Sequence, residues 1–314
     1  MLSSCGVLWY KNRKKIGIYN FLLLFLQSML NIGTDELKLA LHEPGDGFYR
    51  GTRFDRGGVF DSLRLGPLEL CGRWFEHYDP LMHDAVCGPA EEFAPAGFDA
   101  AAPGECFFKP GVGLLVRPDD APYDRFRLYE IADPGEWLAG VGEHSVAFGH
   151  RIAGVYEYRK RIVLTGPLGF EIRHSITSAR GLNTSVYNHN FFTFGKMEVG
   201  PSRHLDFPFR PQGTWRASYD CVGFTPAGIR FSRLLAPGES VYSGDIHQEG
   251  GAGMPYALSL RDGGVTVRIE GDVPVTHTVF WANHRIACLE PYNSVAAPAG
   301  GTFSWTIKYT FSHE

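Results

Sequence analysis

Cysteine is scarce in this 314-residue sequence, and what there is does not cluster: Cys5, Cys71, Cys87, Cys106, Cys221 and Cys288 are scattered, with no C-x-x-C pair and no Cys/His set at zinc spacing. That excludes a disulfide framework or a structural zinc site written in sequence, and the cysteines after Cys5 read as small buried hydrophobes. Charge of one sign is also missing. Lys and Arg number 30 against 34 Asp and Glu, a net charge of -4, and no stretch interleaves basic with aromatic residues. The footprint of a nucleic-acid binder is therefore absent. There is no P-loop, no G-x-G-x-x-G after a strand, no G-x-S-x-G elbow and no H-E-x-x-H, so no nucleotide cofactor and no metal are called for.

No hydrophobic run reaches the roughly 20 residues of a membrane helix, so no stable membrane span is expected. The nearest, Ile16 to Leu30, is broken by Asn20 and Gln27. Lys11, Arg13, Lys14 and Lys15 precede it, as in a signal peptide, but no small-residue cleavage site follows. Leu2-Ser3-Ser4-Cys5 looks like a lipoprotein box, yet it lies ahead of the run. Residues 1–35 thus read as an extension, either a signal or a stretch before a natural start at Met29. A cytoplasmic protein is the expectation, with export to a periplasm or beyond as the alternative.

What is plentiful is aromatic and turn-forming: 23 Phe, 14 Tyr, 38 Gly and 20 Pro, in a chain that is 44% hydrophobic. Such a mixture suits strands punctuated by tight turns. Tyr256–Arg261 and Val265–Ile269 alternate in polarity on either side of Asp262-Gly263-Gly264, which predicts a hairpin. Val155–Leu164 and Phe170–Thr177 predict a second, turning at Gly166-Pro167. Residues 88–104 and 201–213, rich in Gly, Pro or Ala, are expected to be long loops shaping a cleft. With no repeat and no linker, residues 36–314 are expected to form one all-β domain, a large antiparallel β-sandwich.

Two segments carry candidate chemistry. In Val186-Tyr187-Asn188-His189-Asn190-Phe191-Phe192-Thr193-Phe194, a histidine sits inside an aromatic strand, where it suits proton transfer or a core hydrogen bond. In Asn283–Asn293, Glu290 follows an apolar strand and precedes Pro291, a place where an acid can face a cleft or solvent. Together they could form an acid/base pair.

Asn188-His189-x-Phe191-Phe192 resembles the asparagine-histidine-x-aromatic-aromatic signature of the aldose 1-epimerases (galactose mutarotases). Leu289-Glu290 before a Pro/Asn-containing loop is similar to the segment bearing their catalytic glutamate. Phe303–Phe311, after a Pro/Gly turn, looks like their last strand, so the resemblance spans about Glu36 to Phe311. Tyr187 stands where that signature has threonine, and Thr193 and Phe194 replace its asparagine and aliphatic residue. The resemblance is therefore to a divergent branch, marked by Phe48–Asp55 and His83–Phe93.

The resemblance implies a galactose mutarotase-like supersandwich. It implies a cofactor-independent epimerase with His189 and Glu290 catalytic and a monosaccharide or sugar derivative as ligand. Arg53, with Arg50 as competitor, matches the arginine that contacts sugar hydroxyls, a role suited to a planar fork of donors. His83 falls where another sugar-contacting histidine is placed, and Asn188, Glu92 and Lys109 are further candidate contacts. Glu91 and Glu92 can equally be an exposed acidic pair and Lys109 a solvated lysine. Asp206, Asp220 and Asp245 all lie where the family uses an aspartate. The alternatives are a non-catalytic carbohydrate-binding module and a lyase or hydrolase acting on a polysaccharide.

Overall fold

The structure, a computed structural model, describes residues 8–11 (backbone only), 29–196, 198–217, 220–250 and 254–313. Among these there is no helix, and the chain is built from short strands. Most of the basic and apolar N-terminal run lies outside the described residues. Its end does not: Met29–Gly33 pairs antiparallel with Leu37–His42, and Leu30 and Ile32 are buried in the main core. The paired β-structure thus begins ahead of residue 36.

Two antiparallel sheets dominate. One has eleven strands and is centred on the hairpin Tyr156–Gly166 and Gly169–Ser178, followed in the sheet by Thr302–His313 and Val265–Gly271. The other has seven strands, in which Leu182–Phe191 lies between Ala287–Ala297 and the edge strand Gly88–Phe93. Ile162, Ile172, Trp305 and Tyr309 from the first sheet and Val186, Phe192, Phe280 and Leu289 from the second fill one shared core. This is the expected sandwich. Both predicted hairpins form, and the first closes through Gly263 and Gly264 at φ 59° and 83°, the left-handed conformations a two-residue turn requires.

Residues 88–104 depart from the expectation of a loop. Gly88–Phe93 is a strand whose six residues are all buried. Covered on both faces, it carries no polarity alternation, so the pattern that reveals a half-buried strand is missing. Pro89 is compatible because the strand lies at the sheet edge. Gly88 is needed at its start, where φ is 64° and a Cβ would come within 2.9 Å of the Phe60 side chain. Within 201–213, His204–Asp206 and Pro211–Gln212 are likewise short strands. Of the body cysteines, Cys106 is exposed and not buried as expected, because it opens its strand at the surface; the other four are buried.

A second apolar cluster covers the outer face of the seven-stranded sheet. Phe48, Tyr49, Phe54 and Trp74, from the loops that precede Gly88, pack there on Phe191 and Ile286. These loops and the sheet face beneath them form the walls and floor of a cleft.

Candidate active site

Strand alternation sorts the signature residues onto two faces. Along Leu182–Phe191, Tyr187, His189 and Phe191 point to the outer face, while Asn188 and Asn190 point into the sandwich. Asn190 bonds the Leu289 carbonyl at 2.8 Å and accepts from the Tyr309 hydroxyl at 3.1 Å. Asn188 donates to Glu91 at 3.3 Å in the interior and has 0% exposure. Its expected sugar contact is therefore corrected: a side chain one residue from His189 on a strand faces the other way.

The cleft has a volume of about 620 Å³, and His189, Glu290, Arg53 and His83 all line it. Glu290 Oε1 lies 3.0 Å from His189 Nε2, and both side chains are almost wholly buried at the floor. The imidazole is held as a plate. Phe191 stacks on it at 3.7 Å between centroids, with Phe54 and Trp281 edge-on at 5.8 and 6.1 Å. Burial lowers the His189 pKa from its ordinary value, and the neighbouring Glu290 only partly offsets that.

Arg53 approaches from the loop wall. Its Nε donates to Glu92 at 2.6 Å, one Nη meets His83 Nδ1 at 3.3 Å, and the other donates to the Tyr187 hydroxyl at 2.9 Å. Its guanidinium also lies 4.6 Å from the Phe54 ring centroid and 5.2 Å from that of Phe126. Arg50, the competitor, is exposed and does not line the cleft. Because His83 accepts through Nδ1, it is neutral in this contact, in keeping with a pKa lowered by burial.

Glu92 and Lys109 do not line the cleft; they lie behind it, which corrects their expected role as sugar contacts. Glu92 is 3% exposed and is shared by Arg53, the Tyr187 hydroxyl, Lys109 at 3.8 Å and Arg125 at 3.7 Å. Burial pushes its carboxyl up, but the three cations outweigh this and hold it low. Lys109 is fully buried, donates to Tyr123 at 2.6 Å, and is pushed down to about 8 by desolvation. A buried carboxylate surrounded by donors is spoken for; it cannot also bind a hydroxyl.

None of the three candidate aspartates lines the cleft: Asp206 pairs with Arg230, Asp220 with Arg233, and Asp245 is exposed on its strand. The aspartate that does line it is Asp84, beside His83. Sequence reasoning also passed over Trp74, Arg125, Phe126, Arg216, Tyr242 and Trp281. They come from separate segments with no motif to join them; the only local signal was the exposed aromatic and arginine content of Arg125-Phe126.

Cys288 lies beneath the floor, outside the cleft lining. It is 0% exposed, and its Sγ is in hydrogen-bond contact with His189 Nδ1. His189, Cys288 and Glu290 bring ligating atoms within 4.8 Å of one another. The thiol and the carboxylate meet opposite nitrogens of the one ring. The arrangement is suited to moving protons.

The fold that carries this site is the galactose mutarotase-like β-sandwich. No profile of a known protein family matches the sequence, and no curated protein does. Solved structures do. A galactose mutarotase-like protein from Lactobacillus casei ATCC 334 superposes with a TM-score of 0.51 at 13% identity, over 91% of this chain and 100% of that one. A galactose mutarotase-like protein from Clostridium acetobutylicum gives 0.51 at 10% identity, over 98% and 99%. An aldose epimerase homologue from C. elegans gives 0.50 at 13%, over 91% and 99%.

Proposed function

We propose that this protein is a cofactor-independent epimerase acting at the anomeric carbon of an aldose or a modified aldose. The observation that supports it best is the 3.0 Å contact between Glu290 Oε1 and His189 Nε2 at the floor of an aromatic-walled cleft. The anomeric hydroxyl and the ring oxygen are both bonded to C1, so a reaction exchanging protons at these two oxygens needs an acceptor and a donor side by side. Glu290 takes the C1 hydroxyl proton as C1=O forms. The bond from C1 to the ring oxygen breaks, and that oxygen takes the Nε2 proton of the His189 imidazolium. Rotation about C1–C2 and reclosure with the protons returned gives the other anomer. Arg53 and His83 flank the sugar, and Phe126 offers a face for stacking.

The test is NMR exchange between α and β anomer signals over a panel of aldoses and derivatives. His189→Ala and Glu290→Gln are expected to slow exchange by about 100-fold or more with the fold retained, the scale of acid–base catalysis. Near-normal exchange in both variants overturns the assignment. A non-catalytic sugar-binding module is the second reading, favoured by the aromatic lining of the cleft; binding without any exchange is its signature.

A further inference from the structure

The contact between Cys288 and His189 goes beyond the acid–base pair and bears on which ring nitrogen carries hydrogen. Cys288 and Glu290 are two residues apart on the strand Ala287–Ala297, so both face the outer side of the sheet. One strand thereby holds the imidazole at both nitrogens, with sulfur at Nδ1 and carboxylate at Nε2. A carboxylate or carbonyl at Nδ1 would hold a hydrogen there and leave Nε2 a base. A thiol that stays protonated and donates to Nδ1 puts the hydrogen of the neutral ring on Nε2, and its sulfur is only a weak acceptor for the opposite arrangement.

We infer that Cys288 is a positioning residue that donates its S–H to His189 Nδ1, fixing the tautomer in which the nitrogen facing Glu290 and the cleft bears hydrogen. This rests on the epimerase reading only for its catalytic consequence. Two further facts support it. Burial and the nearby Glu290 push the Cys288 thiol well above its ordinary range, so it remains S–H. Glu290 at 3.0 Å from Nε2 needs a donor there. The other charged or titratable groups around the ring are Arg53 on the loop wall, Glu92 on the edge strand and Tyr187 on its own strand. None of the three is in hydrogen-bond contact with Nδ1 in this structure.

The consequence for reactivity follows from sign. A donor at Nδ1 stabilises the Nε2–H form of the neutral ring over the imidazolium, and when the imidazolium gives up its Nε2 proton the thiol turns so that its sulfur accepts from Nδ1–H. In the resting ring the thiol thus keeps hydrogen on the nitrogen that faces Glu290 and the cleft.

The test has two parts that fail separately. In the free protein with ¹⁵N-labelled histidine, long-range ¹H–¹⁵N spectra above the His189 pKa are expected to show Nε2 protonated and Nδ1 bare. Protonated Nδ1 with bare Nε2 overturns the inference whatever the activity. Cys288→Ser, which keeps a donor, is expected to preserve this pattern. Cys288→Ala is expected to lose it and to move the alkaline limb of kcat/KM upward. It should also lower kcat about tenfold with KM little changed, the lower end of what removing the outer partner of a metal-bound imidazole costs. An unchanged ¹⁵N pattern and pH limb in a folded Cys288→Ala protein also overturn it. Absence of anomer exchange in the wild type, with the tautomer as expected, defeats the epimerase reading alone.

Discussion

Arg53 Nε and Glu92 Oε2 meet at 2.6 Å with side-chain exposures of 7% and 3%, an ion pair at the boundary between the cleft and the protein interior. The pair fixes the guanidinium plane, leaving its two other nitrogens for His83 and Tyr187.

Removing that arginine should be costly in two ways. Arg53→Ala leaves a buried carboxylate short of its nearest cationic partner, and about 3 kcal/mol of stability is expected to be lost in denaturant unfolding, the low end for a broken buried pair because Arg125 and Lys109 remain close. Arg53→Lys restores charge but not the fork, so stability should return in part while sugar affinity, measured by titration, does not.

His150 supplies a pH dependence away from the cleft. It stacks on Trp137 at 4.1 Å, its Nε2 donates to the Pro134 carbonyl at 2.9 Å, and its Nδ1 accepts from Tyr156. Burial pushes it down to about 4, so the folded protein keeps it neutral where an unfolded chain, near 6.5, would be protonated. Its contribution is complete above pH 6.5 and is lost as pH falls toward 4, at most about 3 kcal/mol. Urea unfolding at pH 7 and pH 4.5 should show this loss, and His150→Gln should flatten it; an equal slope in the variant would refute the assignment.

Phe126 stands 58% exposed at the cleft wall, against His83 and beneath Arg53. Phe126→Ala should raise KM several-fold, about 1 kcal/mol of stacking, and leave kcat nearly unchanged, since the ring touches neither proton-transfer group. A fall in kcat at constant KM would place Phe126 in the chemistry instead.

The legible part of the site was its contiguous part. His189 and Glu290 each sit in a short motif, and strand-and-turn composition was enough for the sandwich. Asn188 was misplaced although the rule needed was already in the sequence: a period of two puts it opposite His189. Glu92 and Lys109 could not be placed that way, because an acid shared by Arg53, Arg125 and Lys109 is a fact of tertiary structure. The strand Gly88–Phe93 hid because burial on both faces erases the alternation by which strands are recognised.

The placement of Cys288 and Glu290 on alternate residues of one strand makes the site all-or-nothing with respect to insertion. One residue added or removed just before Cys288, absorbed without unfolding the sheet, would turn the thiol and the carboxylate inward together and offer the cleft the neighbouring row, Leu289 and Pro291. A copy of this gene could thus part with its chemistry in a single codon and keep its architecture.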